Sequence, residues 1–236
     1  MKYKNYIFDL YGTLVDIHTN EHSVSLWRRM ADIYRTYGCD CTAASLSDRF
    51  WKLEKEKRVE AAKRLKVKLP EIRLEEVFLE LLLEMPKRKD GALLVSPETW
   101  SEKEKQLFVY QIANTFRILS RTKMKLFPGT LKTLEMLHKE GCKVYLLSNA
   151  QKIFTWPELE TLGLVPYFDD IFISSDEDLL KPEKEFLERL MKKHDMKKKE
   201  SVMIGNEPGA DLEIAKRCGI SGILVHPGES IADVVI

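Results

Sequence analysis

The sequence predicts an α/β protein: a three-layer, doubly wound parallel sheet with an all-helical domain inserted near its N-terminal end. Three observations predict it. From about Leu126 onward, short apolar, β-prone runs alternate with amphipathic helical segments, a pattern that implies parallel strands joined by right-handed crossovers. Before them, residues 16–125 carry helical rather than alternating periodicity. Finally, polar residues cluster where each apolar run stops, and open α/β sheets hold their ligands at such strand ends.

In chain order, Tyr-Ile-Phe-Asp-Leu-Tyr-Gly-Thr-Leu-Val spans Tyr6–Val15. An apolar strand ends at Asp9, and Gly12 lets the backbone turn sharply. The next block is expected to be nearly all helix. Leu26, Met30, Ile33, Tyr34 and Tyr37 fall at helical spacing, as do Leu74, Val77, Phe78, Leu81 and Leu82. A third periodic stretch runs from Gln106 to Leu119, and a Lys/Arg/Asp/Gly-rich connection interrupts the block around Pro86–Pro97. Trp51, Trp100 and Phe116 are expected to fill the core of this block, with His18 and His22 exposed at its hinge. The division is therefore 1–15 and 126–236 for the sheet domain, and 16–125 for the helical insert.

The helix at Leu131–Glu140 is announced by Pro128-Gly129-Thr130 and stopped by Gly141. Strands follow at Lys143–Leu147, Asp170–Ser174, Ser201–Ile204 and Gly222–Val225. Between them lie helices at Pro182–Lys193 and Ala210–Cys218. Pro182 suits a first helical position, and Glu183 and Glu185 suit the dipole of a first turn.

Composition narrows the function. The chain has 236 residues, 44% of them hydrophobic and 32% charged, with a formal net charge of +1. No global basic field draws it to nucleic acid or to anionic lipid. Its apolar runs are far shorter than the ~20 residues that cross a bilayer. Met-Lys-Tyr-Lys-Asn lacks the layout of a signal peptide. Cys39, Cys41, Cys142 and Cys218 show no metal-type pairing, which favours reduced thiols. The expectation is a soluble cytoplasmic protein acting on a small molecule; oligomeric state has no sequence signature.

Four polar stations carry chemistry. An ionised Asp9 at a strand tip can act as a nucleophile, although the same residue also caps turns. Ser148-Asn149 ends a strand with a hydroxyl and backbone N–H groups that suit a phosphoryl oxygen or a carboxylate, or simply an N-cap. Lys181, before Pro182, can neutralise charge on a nucleophile and a transferring group. In Gly205-Asn206-Glu207-Pro208-Gly209-Ala210-Asp211, two carboxylates four residues apart can hold Mg2+.

These stations, in this order and with a domain-sized insertion between the first two, resemble the haloacid dehalogenase-like (HAD) hydrolase superfamily. The insertion matches a type-one cap by position. The resemblance implies Asp9 as nucleophile and metal ligand, with the main-chain oxygen of Tyr11 also on Mg2+. It implies Thr13 and Ser148 as phosphoryl binders, with Asn149 beside them, and Lys181 as charge balance. Asp211, with Glu207 or Asn206, would anchor the metal. The favoured activity is hydrolysis of a small phosphomonoester, a phosphorylated metabolite, through an aspartyl phosphate.

One departure matters. Phosphatases of the family usually place a second aspartate two residues after the nucleophile; here that place is Tyr11. General acid–base catalysis is worth ~10²–10⁴-fold. A phenol can protonate an alkoxide but is a poor base, since roughly one in a thousand is ionised at pH 7. Asp-x-Tyr resembles the L-2-haloacid dehalogenases, whose halide leaves without a proton; Trp27-Arg28 resembles their carboxylate-gripping pair, but on so basic a helix, with Arg29 adjacent, a surface arginine is the favoured reading. Glu207 beside Asp211 argues instead for a cation. A catalytically silent HAD-fold binding protein is the third reading, opposed by retention of Asp9, Ser148, Lys181 and Asp211 together.

Overall fold

A computed structural model of the chain describes residues 1–88, 97–226 and 229–235. It divides into two compact units, one formed by Met1–Ile17, Leu65–Glu71 and Lys123–Ile236, the other by His18–Arg64 and Ile72–Thr122.

The first strand, β1 (Asn5–Phe8), is buried on both faces, as its unbroken apolar run requires of a parallel strand. The chain then enters β2 (Val15–Thr19), which pairs with β3 (Arg121–Leu126) in a two-stranded ribbon. Between those strands run α1 (Val24–Thr36), α2 (Ala43–Leu65), α3 (Leu74–Glu84) and α4 (Glu102–Ser120). After β3 come α5 (Thr130–Lys139), β4 (Lys143–Ser148), α6 (Lys152–Thr161), β5 (Asp170–Ile173) and the single turn α7 (Ser174–Glu177). The chain ends with α8 (Lys184–Lys193), β6 (Ser201–Gly205), α9 (Glu213–Cys218), β7 (Ser221–Leu224) and α10 (Ile231–Val235).

Among the described residues, the main sheet has five parallel strands in the order β5-β4-β1-β6-β7. Its core divides by strand alternation. Tyr6 and Phe8 face a cluster with Val144, Leu146, Val202 and Ile204, while Ile7 faces the opposite layer with Tyr145, Leu147 and Met203. Phe8 sits opposite both Leu146 and Ile204, so β1, β4 and β6 finish nearly level. That register brings their terminal polar residues to one edge.

The second unit packs around an aromatic centre. Phe50 lies 5.1 Å from Trp27, 5.2 Å from Phe78 and 5.5 Å from Phe116, ring centre to ring centre. A capping box between Ser101 and Glu104 starts α4.

Several expectations need correction. The block from residue 16 to 125 is not all helix, because β2 and β3 form its two ends and Leu65–Glu71 belongs to the sheet unit. Trp51 and Trp100 lie partly buried at the margin of the aromatic core, Trp51 against Phe50 at 5.0 Å and Trp100 against Phe108 at 5.6 Å; Trp51 also stacks on His22 at 4.5 Å. Pro182 precedes α8, which begins at Lys184. The expected helix at Ala210–Cys218 splits into a wide turn at Pro208–Leu212 and then α9. The polar connection around Pro86–Pro97 falls on residues 89–96, outside the described residues. No helix among the described residues is long and apolar enough to cross a membrane.

Candidate active site

The strand order reverses direction between β1 and β6: β4 and β5 extend to one side, β6 and β7 to the other. A crevice opens at such a switch point. Asp9 leaves β1 there, its N–H donating to the Ile204 carbonyl at 2.9 Å. The turn that follows is tight: the Leu10 carbonyl accepts from Leu14 and Val15, and Gly12 donates to Val15 at 2.8 Å. Gly12 has φ +83°, and a Cβ there would lie 2.7 Å from the Asn206 Cγ. Only glycine meets both conditions. The turn carries Thr13 Oγ1 to 3.1 Å from the Asn206 Oδ1 and 3.5 Å from the Asp9 Oδ2.

Lys181 is the hub. Its ammonium donates to Asp9 Oδ1 at 2.6 Å and to Asp211 Oδ1 at 2.7 Å, with side-chain exposures of 2% for the lysine, 9% for Asp9 and 1% for Asp211. Burial pushes the Asp9 carboxyl above its ordinary pKa; the Lys181 charge opposes that rise and the Asp211 carboxylate adds to it. Burial works against the Lys181 charge as well, but the two carboxylates outweigh it and hold its pKa above the usual lysine value. The lysine is therefore a fixed cation at neutral pH. One ammonium between two carboxylates leaves the cluster anionic when both are ionised.

Each hub residue is held by its own supports. Ser148, at the end of β4, donates to Asp9 Oδ1 at 3.2 Å. Asp211 Oδ2 accepts from the Glu207 N–H at 2.9 Å. Gly205 makes room for that carboxylate, because a Cβ at this position would lie 2.6 Å from the Asp211 Cβ and nearer still to the carboxylate.

Asp9, Thr13, Ser148, Lys181, Asn206 and Asp211 thus converge, and three expected residues sit differently. Asn149 does not present its amide to the crevice: it donates to the Lys181 carbonyl at 3.1 Å and accepts from the Lys181 N–H at 2.7 Å. Glu207 is exposed, and what reaches Asp211 is its main-chain N–H. The Tyr11 hydroxyl turns to α6, donating to Glu158 and lying 3.1 Å from Thr155 Oγ1. Trp27 is buried with its indole on the Glu21 carbonyl, while Arg28 is exposed.

The converging donors suit a hard cation. They are all oxygens: two buried carboxylates and the Asn206 amide oxygen. Among the described residues no group of three His, Cys, Asp or Glu side chains gathers to form a full cage. Mg2+ is usually held by one or two carboxylates, with water and substrate phosphate completing its shell. The sequence marks Gly205 as part of the fourth station but not its role, and does not mark Thr155 or Glu158 at all, since a glycine at a strand end and polar residues inside a helix carry no chemistry-specific spacing.

The chain is 29% identical over 147 residues to a glyceraldehyde 3-phosphate phosphatase of Methanothermobacter thermautotrophicus, covering 62% of this chain and 65% of that one. It is 27% identical over 235 residues to the pyrimidine 5'-nucleotidase PynA of Streptococcus pneumoniae, covering 96% and 85%. It spans about half the length of most of the curated relatives it matches. In fold it is similar to a 2-haloacid dehalogenase from Pseudomonas syringae, with a TM-score of 0.64 at 19% identity over 97% of this chain and 89% of that one. Residues 3–219, which contain every member of the Lys181 cluster, match the haloacid dehalogenase-like hydrolase family model, and the chain belongs to that family.

Proposed function

We propose that the protein is a Mg2+-dependent phosphatase of small phosphomonoesters in which Asp9 accepts the phosphoryl group. The observation that supports it best is the buried Asp9–Lys181–Asp211 cluster at the β1–β6 switch point. Asp9 attacks phosphorus in line; an Asp9 O–P bond forms as the bond to the ester oxygen breaks, and the departing alkoxide takes a proton from water to leave as the alcohol. Water then attacks the same phosphorus and returns the carboxylate. Lys181 offsets the repulsion between the anionic nucleophile and the anionic ester, and the Thr13 and Ser148 hydroxyls orient the phosphoryl oxygens. Asp9, Asp211, Asn206 and the Tyr11 carbonyl would hold Mg2+, which supplies further charge neutralisation at the phosphoryl group. Glu207 steadies Asp211 through its main chain. The insert at residues 16–125 takes the type-one cap position, and the free cysteines suit a cytoplasmic setting.

The placement of Tyr11 favours a second reading. With its hydroxyl on the Glu158 carboxylate, the Asp-x-Tyr motif suits a leaving group that departs without a proton, as halide does from a 2-haloacid. The relatives named as a phosphatase and a 5'-nucleotidase favour the phosphatase. The test is turnover of p-nitrophenyl phosphate, whose leaving group needs no acid, in Mg2+ and in excess EDTA, with Asp9→Asn as control and L-2-chloropropionate as competing substrate. Phosphate release that requires both Mg2+ and Asp9 supports the proposal. Asp9-dependent chloride release, with no phosphate release, overturns it in favour of the dehalogenase.

A further inference from the structure

The segment between α2 and α3 has no part in the site as described, yet Leu65–Glu71 packs with the sheet unit. It leaves α2 through Lys66, whose φ of +56° stops the helix, and Val67 packs against the core layer that holds Ile7, Tyr145 and Met203. From there it runs antiparallel to the stretch that precedes Lys181. Leu180 N–H donates to the Leu69 carbonyl at 3.2 Å, Glu71 N–H donates to the Asp178 carbonyl at 3.0 Å, and Pro70 bridges Leu179. Beyond the lysine, Glu183 Oε1 accepts from the N–H groups of both Lys68 and Leu69, at 3.1 and 3.0 Å. The strap therefore holds the Lys181 loop from both sides.

Its end reaches the other support of that loop. Glu71 is 4% exposed, and its Oε2 lies 2.9 Å from the Ser174 hydroxyl, which accepts from the Ala150 N–H at 2.8 Å. Ala150 adjoins Asn149, whose amide brackets the Lys181 backbone. One continuous set of hydrogen bonds thus joins the strap to the two chain segments that fix Lys181.

We propose that this strap sets the position of the Lys181 ammonium, with Glu183 and Glu71 as its positioning residues. Irregular backbone alone does not hold an ammonium between two buried carboxylates, and a displacement of about 1 Å in such a group costs on the order of 10²-fold in rate. Glu183 and Glu71 touch neither substrate nor metal in this scheme; they act through the lysine.

The kinetic arm of the test rests on the phosphatase reading; the spectroscopic arm does not. Glu183→Ala is expected to lower kcat for p-nitrophenyl phosphate by more than about tenfold. Glu183→Gln, whose amide oxygen still accepts both N–H groups, restores it. In a Lys181→Ala background, Glu183→Ala changes the residual rate by less than about twofold, because the group it positions is gone. In parallel, the 15N–1H signal of the Lys181 ammonium, assigned by its loss in Lys181→Ala, shifts or broadens in Glu183→Ala and returns in Glu183→Gln. If Glu183→Ala does not fold, Glu71→Ala is read in the same way. Equal losses with and without Lys181, or an unchanged ammonium signal, would overturn the proposal. Absence of any Asp9-dependent turnover would instead remove the phosphatase reading and leave the ammonium signal to decide this one.

Discussion

Replacing Gly205 by alanine puts a methyl group where the side chain of Asp211 lies. Nothing in the local backbone resists the change, since Gly205 is the last residue of β6 and does not have a positive φ. The obstacle is packing: the new Cβ would stand 2.6 Å from the Asp211 Cβ, whereas ordinary contact begins at 3.4 Å. Asp211 must therefore retreat by about 1 Å, a displacement that costs on the order of 10²-fold in rate for a group in a reacting cluster. Retreat also strains its bonds to Lys181 and to the Glu207 N–H. Overpacking of this kind costs ~1–3 kcal/mol. A loss of about 2 kcal/mol lowers the midpoint of thermal unfolding by about 4–8 °C for a chain of this size. Gly209 is the matched control, because a Cβ there meets nothing within 4 Å and its φ is not positive. Gly209→Ala is expected to keep its melting temperature or gain slightly, by about 0.4–1 kcal/mol. Calorimetry and p-nitrophenyl phosphate turnover on both variants decide the matter. A Gly205→Ala protein that melts and turns over like the parent would refute the packing argument and the place it gives Asp211.

Other consequences follow from the same geometry. Tyr11→Phe takes the hydroxyl from the Glu158 carboxylate, which is 3% exposed, and is expected to cost about 1–2 kcal/mol in urea unfolding; an unchanged midpoint would mean that this contact contributes nothing. Phe50→Ala removes the ring shared by Trp27, Phe78 and Phe116 and should cost ~3–5 kcal/mol, read by chemical denaturation of the second unit. All four cysteines are buried and free, and burial pushes the thiols of Cys39 and Cys218 up to about 11. At pH 8 only about one in a thousand of those two is thiolate, so Ellman's reagent should react with them only after unfolding in guanidinium. Rapid reaction in the folded protein would contradict the burial of both.

The parts of this structure that repeat a period were legible in the sequence. β4 and β6 appear where apolar runs end in polar residues, and α1, α3 and α4 appear where hydrophobic spacing is helical. Asp9, Ser148, Lys181 and Asp211 stand out because each follows an apolar run. What stayed hidden lacks a period of its own. Residues 121–126 read Arg-Thr-Lys-Met-Lys-Leu, half charged, and form β3 only because β2 pairs with them. The strap at Leu65–Glu71 is held by backbone bonds to Asp178 and Leu180, which no side-chain pattern announces. Asn149 is ambiguous for a related reason: a strand-end side-chain amide serves a ligand or a backbone equally well, and here the Lys181 backbone takes both of its groups. Glu207 and Asp211 keep the four-residue step of a ligand pair, but the wide turn at Pro208–Leu212 buries the second and exposes the first.

The central claim is that Asp9 is the atom-level acceptor of the phosphoryl group, and trapping tests it most directly. The protein is mixed with substrate and Mg2+, quenched in acid, and treated with borohydride, which reduces an aspartyl phosphate to homoserine. Peptide mass spectrometry then locates the reduced residue. The account predicts homoserine at position 9 and its absence when substrate is omitted or when Asp9→Asn is used. Phosphate release by the intact protein with no homoserine at position 9, or with the phosphoryl group found on Ser148 or Thr13 instead, would contradict it.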